Sequence, residues 1–158
     1  MIFETWLIPK NILDETTLTL TKGSHEIFVI WTSSLKATGP ICEIRRCIVP
    51  AQQPGATLHG VYVHISGQEL NRIQFDNFEK NERSIIQIHT HPSNDVQMSA
   101  LDKSWEVVNH IGALSIIVPV YGKKGLYGFP GVNVYEREKN GWRLWTFDEI
   151  KKRLQVIS

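Results

Sequence analysis

The sequence predicts an α/β fold in which one sheet is packed by a few helices. Three observations predict it. Short β-branched apolar runs of strand length are mixed, without strict alternation, with stretches of helical spacing. No internal repeat or low-complexity tract breaks the chain, and 158 residues suit one domain of common size, so residues 1–158 are expected to form a single domain. The 42% hydrophobic and 21% charged content is ordinary for a globular chain, which argues against disorder, collagen and coiled coil.

The elements follow in order. Pro9, then Ile12, Leu13, Thr16, Thr17 and Leu20, predicts a first helix, because proline suits a first turn and the apolar spacing is helical. Gly23 ends it. Ile27 to Trp31 is a continuous apolar run and predicts a buried strand. Thr38, Gly39 and Pro40 predict a turn, Glu43 to Val49 the next strand, and Gln52 to Ala56 a loop. Leu58 to Ile65 alternates as a strand does. Ser66 followed by Glu69 has capping-box spacing and predicts a helix over Gly67 to Lys80. Ser84 to Ile88 predicts a strand running into His89-Thr90-His91-Pro92. Ser99 opens a predicted helix carrying Leu101, Trp105 and Val108 and ending near Gly112. Leu114 to Val120 is a strand, the glycines from Gly122 to Gly131 mark a loop, and Val132 to Arg137 with Gly141 to Phe147 form a hairpin. Asp148 is expected to cap a terminal helix.

Composition narrows the function. A net charge of +1 removes the basic excess on which nucleic-acid or anionic-membrane binding depends. No apolar run approaches the ~20 residues that span a bilayer, and Met1 to Lys10 has no basic-then-apolar signal pattern, so a soluble cytoplasmic protein is expected. Two cysteines, Cys42 and Cys47, are too few for a disulfide framework or a four-thiolate site, and are expected to pack as small hydrophobes. Most of the five tryptophans are expected in the core, and Lys151-Lys152-Arg153 at a solvated helix end.

One segment carries chemistry. His89 and His91 stand at i and i+2 on a strand, so both rings face the same side with Cα atoms roughly 6.6 Å apart. Both imidazoles can then reach one ion. Ser99 and Asp102, at i and i+3 on the next helix, share a face, and Asp102 can add an oxygen ligand. Two histidines and one carboxylate leave a fourth position for water, as catalytic zinc sites do. Ser-x-x-Asp is also a capping-box pattern and can simply start a helix. His25, His59, His64 and His110 have no partner spacing.

At His89, His91, Ser99 and Asp102 the chain resembles the JAMM (MPN+/JAB) metalloproteases, whose motif is a distant Glu followed by His-x-His-x7-Ser-x-x-Asp. His91-Pro92 fits as well. The resemblance implies a curved mixed β-sheet flanked by helices, with the layering of the cytidine-deaminase-like folds. It implies one Zn2+ per chain on His89, His91 and Asp102, and Ser99 as the hydroxyl supporting the tetrahedral intermediate. It places the general base on a glutamate near the second element. Glu26, at the mouth of the apolar strand, is the first candidate and Glu43, on the following strand, the competitor.

The implied activity is cleavage after the C-terminus of a ubiquitin-like protein, free or conjugated, with no nucleic acid or membrane as partner. The short chain is most similar to small bacterial JAMM isopeptidases of ubiquitin-like conjugation operons, some of them antiphage. Processing of a sulfur-carrier ubiquitin-like protein and a catalytically silent MPN scaffold are the alternatives. The modifier and the oligomeric state are not legible in the sequence.

Overall fold

A computed structural model describes residues 3–57, 60–104 and 107–158. Its elements are β1 (Thr5–Pro9), α1 (Lys10–Leu20), β2 (Phe28–Ser34), β3 (Ile41–Ile48), β4 (Gln53–Thr57), β5 (Gly60–His64), α2 (Gly67–Lys80), β6 (Glu82–Thr90), α3 (Ala100–Ser104), β7 (Leu114–Val118), β8 (Asn133–Glu138), β9 (Gly141–Leu144), α4 (Phe147–Arg153) and β10 (Leu154–Ile157). Eight strands form one mixed sheet in the order β10-β1-β3-β2-β6-β7-β8-β9, and β4 and β5 form a separate hairpin. No described helix is long and apolar enough to cross a membrane.

Strand β6 sits inside the sheet, antiparallel to β2 and parallel to β7. Pairing on both edges and burial on both faces explain its composition, Ile85, Ile86 and Ile88 all being fully buried. The larger core lies on one face, where Trp6, Trp31, Ile86 and Ile88 meet Leu13 and Leu20 of α1. On the other face Phe28, Ile30 and Ile48 pack against Ile73 of α2, with Val63 and Ile65 of the β5 segment.

Helix α1 tolerates its threonines because their hydroxyls are satisfied inside the helix. Thr16, Thr17 and Thr19 each donate to the carbonyl four residues back, at 2.8–3.0 Å. Thr16 also accepts the indole N–H of Trp31 at 2.8 Å, tying α1 to β2. Helix α2 runs over Gly67–Lys80 as its capping signal predicts: the Glu69 N–H donates to Ser66 Oγ at 3.1 Å. Arg46 on β3 ties α2 to the sheet through Asp76 at 2.9 Å, Asn77 at 3.0 Å and Glu82 at 2.9 Å.

Several expectations are corrected. Most of the expected loop over Gln52 to Ala56 falls in β4, Gln53–Thr57, despite Pro54 and Gly55. A two-stranded hairpin leaves an outer edge where a missing N–H is harmless, which admits Pro54. Gly55 faces Tyr62, and a Cβ there would lie 2.2 Å from the Tyr62 ring, so glycine lets that ring lie across the hairpin. The expected strand from Leu58 appears as Gly60–His64, while Leu58 and His59 lie outside the described residues. The helix after Ser99 is five residues long, and Val107 and Val108 are not helical. Trp105 lies outside the described residues. Strand β7 ends at Val118, before Pro119. Thr146, not Asp148, caps α4, in a reciprocal box with Glu149. Two strands were not expected: β1, which alternates half-buried and buried residues, and the four-residue β10, which pairs with it in parallel.

Arg153 is also not merely a solvated helix end. Its guanidinium lies 4.2 Å from the Trp145 ring centre, bonds Glu136 and Glu149 at 3.1 Å, and donates to the Phe3 and Glu4 carbonyls. It thereby joins the N-terminal strand to the far side of the sheet. Removing it leaves the buried Glu136 carboxylate with less compensation. Arg153→Ala is expected to lower unfolding free energy by about 2–4 kcal/mol, read as a lower urea midpoint, while Lys152→Ala leaves the midpoint near wild type.

Candidate metal centre

The site is assembled where β6 leaves the sheet. His89 pairs with Phe28 of β2 and with Ile117 of β7, so its backbone is held from both sides. The clamp continues past the strand ends. Ile27 N–H donates to Thr90 Oγ1 at 3.0 Å and Thr90 N–H to the Ile27 carbonyl at 3.1 Å. Continuing this antiparallel register sets Glu26 opposite His91. Alternation then puts Glu26, Phe28, His89 and His91 on one face, and the Phe28 and His89 rings stack 6.0 Å apart at 13°. On the other edge of β2, the Gln52 amide grips Phe28, accepting from its N–H at 2.7 Å and donating to its carbonyl at 2.8 Å.

His91 is fixed further by the strand that follows. Its N–H donates to the Val118 carbonyl at 2.8 Å, and its carbonyl accepts from Tyr121 N–H at 2.8 Å. The turn achieving this holds Val120 and Tyr121 at φ 47° and 53°, a left-handed conformation that a β-branched residue rarely adopts. Gly122 beside them sits at φ +72°, and a Cβ there would lie 3.0 Å from Leu20 Cβ of α1.

The donor atoms converge. His89 Nε2 and His91 Nε2 lie 3.2 Å apart, and each lies 3.1 Å from one oxygen of Asp102. A tetrahedral ion at about 2.0–2.1 Å from its ligands spaces them about 3.3 Å apart. The three groups therefore already stand near the edges of such a tetrahedron. The protons point the same way. His91 Nδ1 lies 2.8 Å from the Asp95 carbonyl, which can only accept, so Nδ1 carries the proton. In neutral His91, Nε2 is then bare and faces a carboxylate oxygen and a second imidazole nitrogen. A divalent cation satisfies all three at once.

Asp102 is prepared for that role twice. Ser99 N–H donates to Asp102 Oδ2 at 2.8 Å, and Asp102 N–H donates back to Ser99 Oγ at 3.0 Å. The Ser-x-x-Asp pattern is thus both a capping box and the device that aims the carboxylate. Without a metal, burial works to raise the pKa of Asp102, but hydrogen bonds from His89, from His91 in its protonated form and from the Ser99 N–H outweigh it and hold the carboxyl well below the usual range. Burial works to lower that of His91, and the Asp102 and Asp95 contacts outweigh it upward.

Glu26 is 6% exposed, and its carboxylate lies within 4.8 Å of the ligand atoms of both histidines. It is close enough to reach an ion directly or through one water. Burial pushes its pKa from 4.5 up to about 7, His91 pulling down and Asp102 adding to the rise. Glu43 is exposed on β3 and lines no part of this cavity. The cavity beside Glu26, His89 and Asp102 has an apolar rim of Phe28, Val63 and Leu101, with Tyr62 from the β4–β5 hairpin.

Of the remaining histidines, His25 and His64 are exposed, His110 is half-buried away from the cluster, and His59 lies outside the described residues. Cys42 and Cys47 are buried and free. Sequence reasoning did not single out Thr90, Gln52, Gln87 or the Asp95 carbonyl. Thr90 and Gln87 carry a signal, since one is the middle residue of His-x-His and the other stands two residues before His89.

No family model matches the chain. It is 30% identical over 119 residues to a protein of Sinorhizobium fredii described as a probable metalloprotease, spanning 75% of this chain and 71% of that one. The fold is similar to a solution structure from Desulfitobacterium hafniense, with TM-score 0.64, 12% identity, and 98% and 94% of the two chains covered. It is similar also to a JAB1/MPN domain protein from Archaeoglobus fulgidus, with TM-score 0.50, 14% identity, and 96% and 98% covered. The chain belongs to the JAMM (MPN/JAB) metalloprotease family.

The raised pKa of Glu26 has a sign that can be checked on metal-free protein. A carboxyl whose folded pKa exceeds its unfolded one favours folding only while protonated. That advantage is lost as pH rises from 4.5 through about 7. In the presence of a chelator, Glu26→Gln is expected to be more stable than wild type at pH 8 by up to about 3 kcal/mol. The gap should close toward pH 4. Urea unfolding at both pH values measures it, and a constant difference would contradict the buried environment.

Proposed function

We propose that the protein is a zinc-dependent peptidase or isopeptidase that cleaves after the C-terminus of a ubiquitin-like modifier. The observation that carries the catalytic reading is the 3.1–3.2 Å triangle of His89 Nε2, His91 Nε2 and Asp102, with the Glu26 carboxylate beside it. His89, His91 and Asp102 would hold one zinc ion. When bound, zinc lowers the pKa of a water in its open position toward ~7 and polarises the scissile carbonyl.

The chain's own residues do the rest. Glu26 takes the proton of the attacking water and delivers one to the leaving amine, and a pKa near neutrality suits both tasks. A neighbouring dication favours its ionised form. Ser99 keeps its O–H as a donor, since its oxygen accepts from Asp102 N–H, and that hydroxyl supports the oxyanion. Phe28, Val63 and Leu101 shield the reacting centre from water and offer an apolar wall to an extended tail. The ubiquitin-like substrate rests on the family motif at His89, His91, Ser99 and Asp102. The same geometry serves removal of a modifier from a target, trimming of a precursor or of a sulfur carrier, and a role in a bacterial antiphage pathway.

Two measurements test the reading. Elemental analysis should find about one zinc per chain in wild type and little in His89→Ala or Asp102→Ala, and unchanged zinc in both variants would remove the site. With ubiquitin-like fusions as substrates, Glu26→Gln should keep its zinc and lose about 10²–10⁴-fold in turnover. Ser99→Ala should lose roughly 10²–10³-fold for about 1 kcal/mol of stability. Zinc-loaded wild type without turnover on any fusion or isopeptide would identify a silent scaffold instead.

A further inference from the structure

Over its described residues, Ala100–Ser104, helix α3 is too short to persist by propensity, yet it presents Asp102 to within 3.1 Å of two imidazoles. Something outside the helix must fix its place. Its entry is held from β8, where Tyr135 Oη accepts from Met98 N–H at 3.1 Å and Asn133 Nδ2 donates to the Val96 carbonyl at 3.1 Å. Among the described residues, its exit is held by the side chain of Gln87. The Gln87 Oε1 accepts from the N–H groups of Val107 at 3.2 Å and Val108 at 2.9 Å. Its Nε2 donates to Ser115 Oγ of β7 at 3.1 Å.

This arrangement explains why the predicted longer helix stops. The two N–H groups that would continue the helical ladder are drawn instead to a buried amide. Gln87 is 3% exposed and Val108 also 3%, so neither end of that contact has water as an alternative partner. Gln87 stands two residues before His89 on the same strand, hence on the same face, and lines the same cavity as Glu26, His89 and Asp102. One rigid side chain is thus referenced at once to the strand bearing the histidines, to β7 and to the segment leaving the helix that bears the carboxylate.

We infer that Gln87 is a positioning residue that sets Asp102 against His89 and His91. It acts through the placement of α3. The inference rests on the metal-centre reading above. An apolar residue at 87 would leave the buried Val108 N–H and the part-buried Val107 N–H without this partner, and the exit of α3 would shift to find others. The carboxylate at the other end would lose its register with the imidazoles, as happens when outer partners of metal ligands are removed.

The test uses full-length protein freed of metal and titrated with Co2+, read by d–d absorption and by competition with a chelator. Gln87→Met is expected to bind Co2+ about 10–100-fold more weakly than wild type, with a changed d–d spectrum. A residue that merely terminates a helix would lower the urea midpoint and leave the spectrum alone. In an Asp102→Ala background, adding Gln87→Met should cost less than about 3-fold, because the path through Asp102 is already cut. Wild-type affinity and spectrum in Gln87→Met, or an equal loss in both backgrounds, would overturn the inference. Should Gln87→Met not fold, Ser115→Ala, which frees the amide nitrogen but spares the carbonyl contact, carries the test. A weaker Co2+ affinity with a changed spectrum supports the inference, and wild-type behaviour overturns it. Failure of wild type to take up Co2+ would defeat the metal-centre reading, and the inference with it. Uptake by wild type alongside an unaltered Gln87→Met defeats the inference alone.

Discussion

Everything at the metal centre depends on the two-sided pairing of β6. Hydrogen bonded to β2 on one edge and β7 on the other, this strand cannot twist or slip without breaking two ladders. A slip of one residue would exchange its faces, sending His89 and Gln87 into the space of Ile86 and Ile88. The isoleucines hold the register by burial, and the histidines inherit it. Stability and chemistry therefore occupy alternate positions of a single strand.

Around that strand, each functional group is positioned by a different kind of force. Glu26 is placed by backbone pairing carried one step past the end of β2, through Thr90. His91 is oriented by a carbonyl on its far nitrogen, and its backbone is caught by a turn that holds Val120 and Tyr121 left-handed. Asp102 is aimed by the start of its own helix. None of these supports is a long-range ion pair, so salt screening has little purchase on the geometry. The larger ion-pair networks lie elsewhere, Arg46 fastening α2 through Asp76 and Arg153 fastening α4 to Glu136 of β8.

What the sequence made legible follows the range of the interaction. His-x-His and Ser-x-x-Asp are local patterns whose geometry follows from strand and helix periods, and these four residues do meet. Helix α2 was legible for the same reason, since Ser66 and Glu69 carry its start in four positions. Glu26 was preferred to Glu43 because it opens the apolar strand where the resemblance places the base, and the fold sets its carboxylate beside both histidines. The losses came where distant partners overrode local preference. Residues 52–56 read as a loop because Pro54 and Gly55 break isolated strands, whereas the Tyr62 ring across Gly55 makes one. The helix after Ser99 read too long because nothing nearby announces that a glutamine on another strand will take its amides. Strands β1 and β10 depend on each other, and the four residues of β10 alone offer too short a pattern to notice.

The main core is built by Trp6, Trp31, Ile86 and Ile88 against Leu13 and Leu20, on the face of β6 opposite His89 and His91. The sheet is thus assembled from aliphatic and aromatic contacts that make no use of an ion. This separates the protein from small metal-dependent folds, in which the bound ion supplies the folding energy itself. An ion held by His89, His91 and Asp102 would be a removable part in a finished socket. Loss of such an ion would leave the aliphatic and aromatic contacts of the sheet in place, so occupancy would follow the supply of metal rather than the history of synthesis.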